Sequence, residues 1–218
     1  MSSIIPIAFH NSFRLALNQE HRFPMEKYEL LPQQLILEGT NKIEDFFEPK
    51  PASLKHVLRI HEKNYVNRLL KLTLTKNEIR SIGFPLSNDL INREFLIAGG
   101  TIRGAEKALK SGIAMNIAGG THHAYPNKGE AFCLLNDQAI AAQCLLDSGQ
   151  VKKILILDLD VHQGNGTAVI FKNNPNIFTC SVHGEKNYPF RKEMSDFDLP
   201  LKDDCNDSVY LHHIKKLL

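Results

Sequence analysis

Three short apolar runs limit the folds that this chain can adopt. They cover residues 115–118, 154–159 and 177–183, and helical patterns such as residues 137–146 separate them. Apolar runs of this length are typical of strands that are buried on both faces, and strands that alternate with helices form parallel sheets covered by those helices. The sequence therefore predicts an α/β fold with three layers and a central parallel sheet.

The first half of the chain contributes one more predicted strand and several helices. Residues 4–9 are short, apolar and bounded by polar residues, as a buried strand would be. A helix over residues 62–72 is predicted to have an apolar side made of Tyr65, Leu69, Leu70 and Leu72. The longest helical pattern spans residues 88–110 and ends at Gly112, and the glycine pair 99–100 inside it is expected to permit close packing.

The last segment has helical spacing and an uncovered apolar side. Residues 208–218 follow the capping candidates Asn206 and Asp207. They end on Leu217 and Leu218. Because an apolar helix side needs a surface to pack against, we expect that the native fold continues past residue 218 or that another surface covers this helix.

Composition indicates one globular domain that does not bind nucleic acid directly. The chain has 218 residues, of which 43% are apolar, so it is long enough to bury a core as one α/β domain. Its 26 Lys and Arg residues are interspersed with 24 Asp and Glu residues. This distribution lacks the basic stripe that marks a nucleic-acid footprint.

Cysteine usage and the amino-terminal sequence bear on location. The four cysteines form no C-x-x-C pair, which argues against a disulfide framework and favours a reducing compartment. The sequence begins without a charged segment, and no apolar stretch reaches the roughly 18 residues that a membrane span needs. We therefore predict a cytoplasmic protein with no membrane partner and leave a nuclear location open.

Charged residues close one of the apolar runs and predict a metal site. Asp158, Asp160 and His162 alternate at the end of the run, so a continuing strand would place them on one side. A carboxylate with an imidazole suits zinc or iron(II), and a catalytic zinc usually takes three protein ligands, of which only two are evident here. Taken alone, a D-x-H pattern is more often an ordinary capping pair, but the neighbouring polar clusters favour the metal.

Two adjacent histidines follow the run at residues 115–118. Imidazoles titrate near neutral pH, so His122 and His123 are suited to move protons to and from a reacting water and a leaving amine. A second group must fix the tautomer of each ring, and Asp158 and Asn165 are the natural partners if the two loops meet. A lone His-His pair is more often incidental, so this role depends on the loops converging.

Four ordered motifs carry a resemblance to a known family. They are H-R-F-P-M-E-K-Y-E-L-L-P from residue 21, G-G-T-H-H at 119–123, G-E-A-F-C-L-L-N-D at 129–137 and D-L-D-V-H-Q-G-N-G at 158–166. Together they resemble the histone deacetylase family, particularly its class IV and bacterial branches. The resemblance implies an arginase/deacetylase-like fold in which residues 1–218 are a single domain, the amino-terminal two thirds of the family's catalytic domain.

The same resemblance assigns roles to the polar clusters. It implies that Asp160 and His162 are zinc ligands, and that His122 and His123 form the proton-transfer pair. It also implies that Asp158 bonds to His122 and Asn165 to His123, although many relatives have Asp where Asn165 stands. Behind the zinc it implies a monovalent cation such as potassium, held by the carbonyls of Asp158, His162 and Val182 and the side chains of Asp160 and Ser181.

The resemblance further implies a narrow channel for an acylated lysine. Phe132 matches one aromatic wall, and Tyr188 or Phe190 could form the other, although each could instead be a core aromatic residue. Ala131 stands where many relatives have Gly, and no acidic residue matches the one that grips peptide substrates in some branches. The substrate is therefore expected to be either an acylated lysine of a protein or a small acylated amine.

The implied activity is zinc-assisted amide hydrolysis, with rivals that the sequence leaves open. The family's third zinc ligand, an Asp, and its oxyanion tyrosine are expected beyond residue 218, so the isolated chain should be weak or inactive. The alternatives are a truncated acyl-lysine-binding fragment and a deacetylase of small amines. A dimanganese ureohydrolase of the arginase type is disfavoured, because Gly164 occupies the last position of its D-x-H-x-D pattern.

Overall fold

The structure, a computed structural model, describes residues 5–218 as two compact units. The amino-terminal unit comprises residues 1–152 and the carboxyl-terminal unit residues 153–218. Within the described residues, no helix is both long enough and apolar enough to cross a bilayer. The prediction of a single domain over residues 1–218 stays a prediction.

A small parallel sheet lies in the amino-terminal unit. Its strands are β1 (Ile7–Ala8), β2 (Phe46–Phe47) and β3 (Met115–Asn116), with β1 in the centre and parallel to both neighbours. The predicted strands at residues 4–9 and 115–118 are thus present but shorter than their apolar runs, and Ile4 lies outside the described residues. Hydrogen bonds extend the pairing slightly, since the Phe9 amide donates to the Phe47 carbonyl oxygen over 3.0 Å.

Most of the regular secondary structure in the amino-terminal unit is helical. They are α1 (Lys27–Leu37), α2 (Leu54–Val57), α3 (Lys63–Leu70), α4 (Lys76–Ile82), α5 (Asn88–Ser111) and α6 (Asp137–Asp147). Side chains of Ser53, Thr75, Ser87 and Asn136 cap the starts of α2, α4, α5 and α6 by accepting backbone N–H bonds. The apolar core of this unit includes Phe13, Tyr65, Leu69, Leu90, Ile97 and Leu135.

The prediction for the helix over residues 62–72 is only partly right. Tyr65 and Leu69 are buried, but Leu70 and Leu72 are 41% and 38% exposed. Leu70 lies about 100° around the helix from its neighbour Leu69, so the two cannot face the same core. The helix ends at Leu70, and Leu72 has a left-handed backbone with φ of 55° that no longer follows the helical period.

The long helix α5 packs through its glycine pair, as predicted. A Cβ atom on Gly99 would lie 1.8 Å from the carbonyl oxygen of Lys50, and one on Gly100 would lie 3.2 Å from the Cβ of Ala8. At Gly99 the backbone of α5 therefore approaches a neighbouring loop too closely for any side chain, and at Gly100 it is tightly packed against strand β1. The helix ends at Gly112, whose φ of 85° suits glycine.

The carboxyl-terminal unit contains a second parallel sheet. Its elements in chain order are β4 (Ile154–Asp158), α7 (Asn165–Phe171), β5 (Ile177–Gly184), β6 (Phe197–Leu201) and α8 (Asp207–Leu217). Strand β5 lies between β4 and β6 and is parallel to both. The pattern of the sequence did not predict β6, which contains Pro200. Proline is tolerated in β6 because this strand has a neighbour on one side only within its sheet.

Helix α8 forms as predicted, and its apolar end faces part of the second sheet. The Asn206 side chain caps it by accepting the Val209 N–H. None of its residues is buried. Its last leucines border a groove of about 330 Å³ that is lined by Leu155, Leu157, Phe178, Cys180, Leu217 and Leu218. The expectation that a further surface covers this helix stays a prediction.

Candidate active site

The His-His pair lies on the loop that follows β3 in the amino-terminal unit. Both rings are buried, and their centroids are 4.0 Å apart. The His122 amide donates to the carbonyl oxygen of Gly120 over 2.9 Å, in a tight turn where Gly120 has a φ of 90°. The glycine is needed at that position because a φ in this range favours residues without a Cβ. Local turn geometry therefore holds both imidazoles inside the protein.

Asp137 anchors this loop from the first turn of α6. Its buried carboxylate accepts the amides of Gly120 and Thr121 over 3.1 and 2.8 Å and the Thr121 hydroxyl over 2.6 Å. It also accepts the hydroxyl of Thr101 from α5 over 2.5 Å. Hydrogen bonds to a charged group are stronger than neutral ones, so one side chain fixes the residues just before His122. The sequence reasoning missed this role, although Asp137 closes a motif that it used.

His61 anchors the same loop further along. It is buried, its Nδ1 lies 3.0 Å from the Tyr125 carbonyl oxygen, and its Nε2 accepts the Asn136 amide over 2.9 Å. These partners define a neutral ring that donates from Nδ1. Burial lowers the pKa of His61 to about 4, because the charged form cannot be solvated. The sequence offered no signal for this role, since a lone histidine between helices is usually unremarkable.

Phe132 lies on a strained turn at the far end of the loop. Ala131 and Phe132 both have left-handed backbones, with φ of 45° and 66°, and their amides donate to the carbonyl oxygens of Ser81 and Ile82. The Phe132 ring packs 5.0 Å from the centroid of Phe84. This geometry explains why a glycine suits position 131, since φ values in this region cost a residue with a Cβ about 1–2 kcal/mol. The wall role of Phe132 stays a prediction.

The predicted zinc ligands lie in the carboxyl-terminal unit, just after β4. The strand ends at Asp158, whose Oδ1 accepts the Asp160 amide over 3.0 Å. Asp160 Oδ1 in turn accepts the His162 amide over 2.7 Å. The prediction that strand alternation aligns these three side chains is therefore wrong. Two successive turns, in which an Asp bonds the amide two residues on, shape this segment instead.

The side chains of Asp160 and His162 nevertheless face one another. Asp160 Oδ1 and His162 Nδ1 are 3.0 Å apart, and the two side chains are 51% and 42% exposed. Two ligands of one tetrahedral zinc, each about 2.0–2.1 Å from the metal, would be separated by roughly 3.3 Å. The observed 3.0 Å is also a hydrogen-bonding distance, and the two atoms would have to separate by about 0.3 Å to share one zinc ion. Among residues 5–218 there is no cluster of three or more His, Cys, Asp or Glu residues suited to a metal ion.

The groups predicted to hold potassium lie on neighbouring strands. Asp158 on β4 pairs in register with Ser181 on β5, and Ser181 and Val182 are both buried. The Ser181 hydroxyl lies 3.0 Å from Nδ1 of His183, and burial lowers the pKa of His183. The sheet thus places Asp158 and Ser181 side by side on neighbouring strands. The potassium site itself stays a prediction.

Tyr188 and Phe190 are the two candidates for the second aromatic wall of the channel, and of these Tyr188 lies close to the candidate ligand His162. Its ring centroid is 6.2 Å from that of His162, whereas Phe190 is 92% exposed. Asn165 is buried at the first residue of α7. The structure thus groups Asp158, Asp160, His162 and Tyr188 within one unit. The bonds of His122 to Asp158 and of His123 to Asn165 stay predictions.

Comparison with known proteins places this chain among longer relatives. The family model for the histone deacetylase domain matches residues 21–218. An uncharacterized protein of Picosynechococcus sp. is 42% identical over 217 residues, which are 98% of this chain and 72% of that protein. A probable deacetylase of Archaeoglobus fulgidus is 35% identical over 190 residues, or 84% of this chain and 52% of the relative.

Solved structures agree with the fold. The crystal structure of an HDAC homolog from Aquifex aeolicus matches with a TM-score of 0.83 at 24% identity, over 98% of this chain and 63% of the other. An HDAC homolog complexed with SAHA matches with a TM-score of 0.85 over the same shares. The predicted α/β deacetylase-like fold is confirmed, while the class IV or bacterial branch stays a prediction. The chain belongs to the histone deacetylase family.

Proposed function

We propose that this chain carries the proton-transfer histidines and two zinc ligands of a deacetylase that removes acetyl or longer acyl groups from lysine side chains of proteins. The observation that carries the proposal is the 3.0 Å approach of Asp160 Oδ1 to His162 Nδ1, which suits a shared metal ion. The similarity to a probable deacetylase of Archaeoglobus fulgidus supports the reaction class. The chain spans about half of that relative.

Each group has a distinct task in this proposal. Asp160 and His162 would hold zinc, which would supply Lewis-acid polarisation of the amide carbonyl and of a water. His122 and His123 would accept a proton from the attacking water and deliver one to the departing amine. Their burial on an anchored loop keeps the rings oriented for both transfers. Asp158 and Asn165 select the tautomer of each ring.

Substrate binding falls to the aromatic residues. Phe132 and Tyr188 would clasp the aliphatic stem of the lysine by apolar contact. The oxygen groups of Asp158 and Ser181, which are in register on the neighbouring strands β4 and β5, would help to hold potassium. A small acylated amine could use the same groups, since nothing in them requires a peptide backbone.

A second candidate is an acyl-lysine-binding fragment of low activity. The exposed ligand pair, with no third His, Cys, Asp or Glu grouped beside it among residues 5–218, favours this alternative for the chain alone. It would bind an acetyl-lysine peptide without turnover. The two candidates share the channel residues and differ in the metal-dependent step.

Metal analysis and a hydrolysis assay of the full chain test the proposal. We expect zinc in a one-to-one ratio, loss of that zinc in Asp160→Ala, and hydrolysis of an acetyl-lysine peptide that a chelator abolishes. Glu185→Ala, at an exposed carboxylate of the same unit, is the control and should keep its zinc. Peptide binding without chelator-sensitive turnover would favour the fragment, and stoichiometric manganese or chelator-resistant turnover would contradict the zinc site.

A further inference from the structure

Gln163, the residue after the candidate ligand His162, has an unusually complete set of hydrogen bonds. Its side chain is buried, and Nε2 donates to the Glu193 carbonyl oxygen and to Asp198 Oδ1, each over 2.8 Å. Its Oε1 accepts the Glu193 amide over 2.8 Å. Its own amide donates to the carbonyl oxygen of Tyr188 over 3.2 Å. One residue thus bonds to three separate points between residues 188 and 198.

These bonds hold a segment that has no regular secondary structure. Residues 185–196 connect β5 to β6 without forming a helix or strand. The large apolar side chains Phe190 and Met194 point into solvent and contribute no core packing. A segment that buries little apolar surface depends on its hydrogen bonds for a defined position. Gln163 supplies such bonds from residues 159–164, the metal loop, which connects β4 to α7 and contains Asp160 and His162.

The arrangement links two parts of the proposed site. Gln163 adjoins His162 in the chain and bonds to the backbone of Tyr188, whose ring lies 6.2 Å from the His162 ring. We infer that Gln163 is a positioning residue: its side chain fixes the segment at Glu193 and Asp198 while its backbone N–H bonds to Tyr188, and the fixed segment keeps the Tyr188 ring beside His162. The roles of ligand and wall rest on the proposed function, whereas the position of the ring does not.

The chemistry of the amide explains why glutamine suits this position. The side chain must donate twice and accept once, and a primary amide does so from one planar group. A leucine of similar size would remove all three side-chain bonds to Glu193 and Asp198. A glutamate would keep the acceptor but lose both donors and face the carboxylate of Asp198.

Two variants of the full chain separate this role from general stabilisation. Gln163→Leu removes the three side-chain bonds. Thr179→Val is the matched control, because the buried Thr179 hydroxyl donates to Asp196 Oδ2 over 2.8 Å and accepts the Asp196 amide over 3.1 Å. Both changes therefore loosen the same segment through polar bonds, but only Gln163 adjoins the metal loop.

The measurements are the NMR contact between the Tyr188 and His162 rings in metal-free protein and the affinity for zinc by competition. We expect Gln163→Leu to lose the ring contact and to weaken zinc binding by about 10–100-fold, as loss of a group behind a ligand does. Thr179→Val should keep both. Retention of the ring contact in Gln163→Leu, or equal loss in Thr179→Val, would overturn the inference.

A reciprocal exchange guards against a variant that fails to fold. Gln163→Glu alone should lose the ring contact, and adding Asp198→Asn should restore it in part, because the new amide can donate to the new carboxylate. Absence of any rescue in a folded double variant counts against the inference. If the unmodified chain binds no zinc while the ring contact still depends on Gln163, the positioning role stands and the proposed zinc function fails.

Discussion

The loop of His122 and His123 (residues 117–136, the histidine loop) buries its candidate functional groups, whereas the metal loop exposes its own. In the first, His122 and His123 are buried, and the loop is anchored by Asp137 at one end and His61 further along. In the second, Asp160 and His162 are 51% and 42% exposed and shaped by local turns. Groups that move protons benefit from a fixed, dry setting, whereas metal ligands need access to the ion. We therefore expect stability to depend on the first loop and metal affinity on the second.

The largest effect is expected for Asp137→Ala. It removes the charged acceptor that the Gly120 amide, the buried Thr121 amide and the Thr101 hydroxyl share, and should cost about 3–5 kcal/mol of unfolding free energy. Urea unfolding measures this loss. Asp147→Ala, at the other end of α6, removes a surface pair with Arg59 and should cost less than about 1 kcal/mol. Similar losses in the two variants would contradict the anchoring role.

A pH dependence of about 3 kcal/mol is expected from His61. Its folded pKa of about 4 lies below the ordinary 6.5, so between these values the unfolded chain binds the proton and the folded chain does not. Stability from this residue is complete above pH 6.5 and falls as the pH drops toward 4, by up to about 3 kcal/mol.

Comparison of the unmodified chain with His61→Gln isolates this dependence. Urea unfolding at pH 7 and pH 4.5 should show a stability difference between the two proteins that shrinks at the lower pH. Other groups with a lowered pKa, such as His183, are present in both proteins, so their contributions to the pH dependence cancel in this comparison. A difference that does not change with pH would show that His61 does not hold the loop as a neutral ring.

The exposed metal loop should respond in affinity and hardly in stability. His162→Ala removes a candidate ligand and should weaken zinc binding by more than the roughly 10–100-fold typical of groups behind a ligand. Its metal-free unfolding free energy should change by less than about 1 kcal/mol, because the Asp160–His162 pair is exposed. Isothermal titration and urea unfolding give the two values. A large loss of metal-free stability in His162→Ala would show that the stability of the fold depends on the metal loop as well as on the histidine loop.

The smallest effect is a gain in stability from Ala131→Gly. The φ of 45° at Ala131 is strained for a residue with a Cβ, so glycine should stabilise the turn by about 0.5–1 kcal/mol after its own entropy cost. Thermal unfolding measures this gain. Ala105→Gly within α5 is the control and should lose about 1 kcal/mol. A loss in both variants would show that position 131 carries no strain.

Much of the local structure could be predicted from neighbouring residues. The end of α5 at Gly112 and the start of α8 after Asn206 follow from capping, which acts within a few residues. The strand runs at residues 154–159 and 177–183 were also recognisable by their apolar character. Strand β6 was not, because Phe197–Leu201 contains a proline and a charge that fit only an edge position.

The groups that hold the site could not be predicted in the same way. His61 bonds to the Asn136 amide across 75 residues of sequence, and Gln163 reaches Asp198 across 35. A single histidine or glutamine carries no pattern that reveals such a partner. Strand alternation also fails to predict the orientation of the Asp160 side chain, because β4 ends at Asp158 and turns shape the residues that follow.

By itself the sequence determined the longer helices, four of the six strands, the family and the residues that can do chemistry. These depend on local periodicity, capping and motifs, which are properties of adjacent residues. The tertiary structure alone decided that Asp137 and His61 anchor the loop of His122 and His123, that Gln163 bonds to Asp198, and that Ala131 takes a left-handed conformation. Those outcomes require burial and partners distant in the chain, because a polar group becomes an anchor only where folding removes it from water.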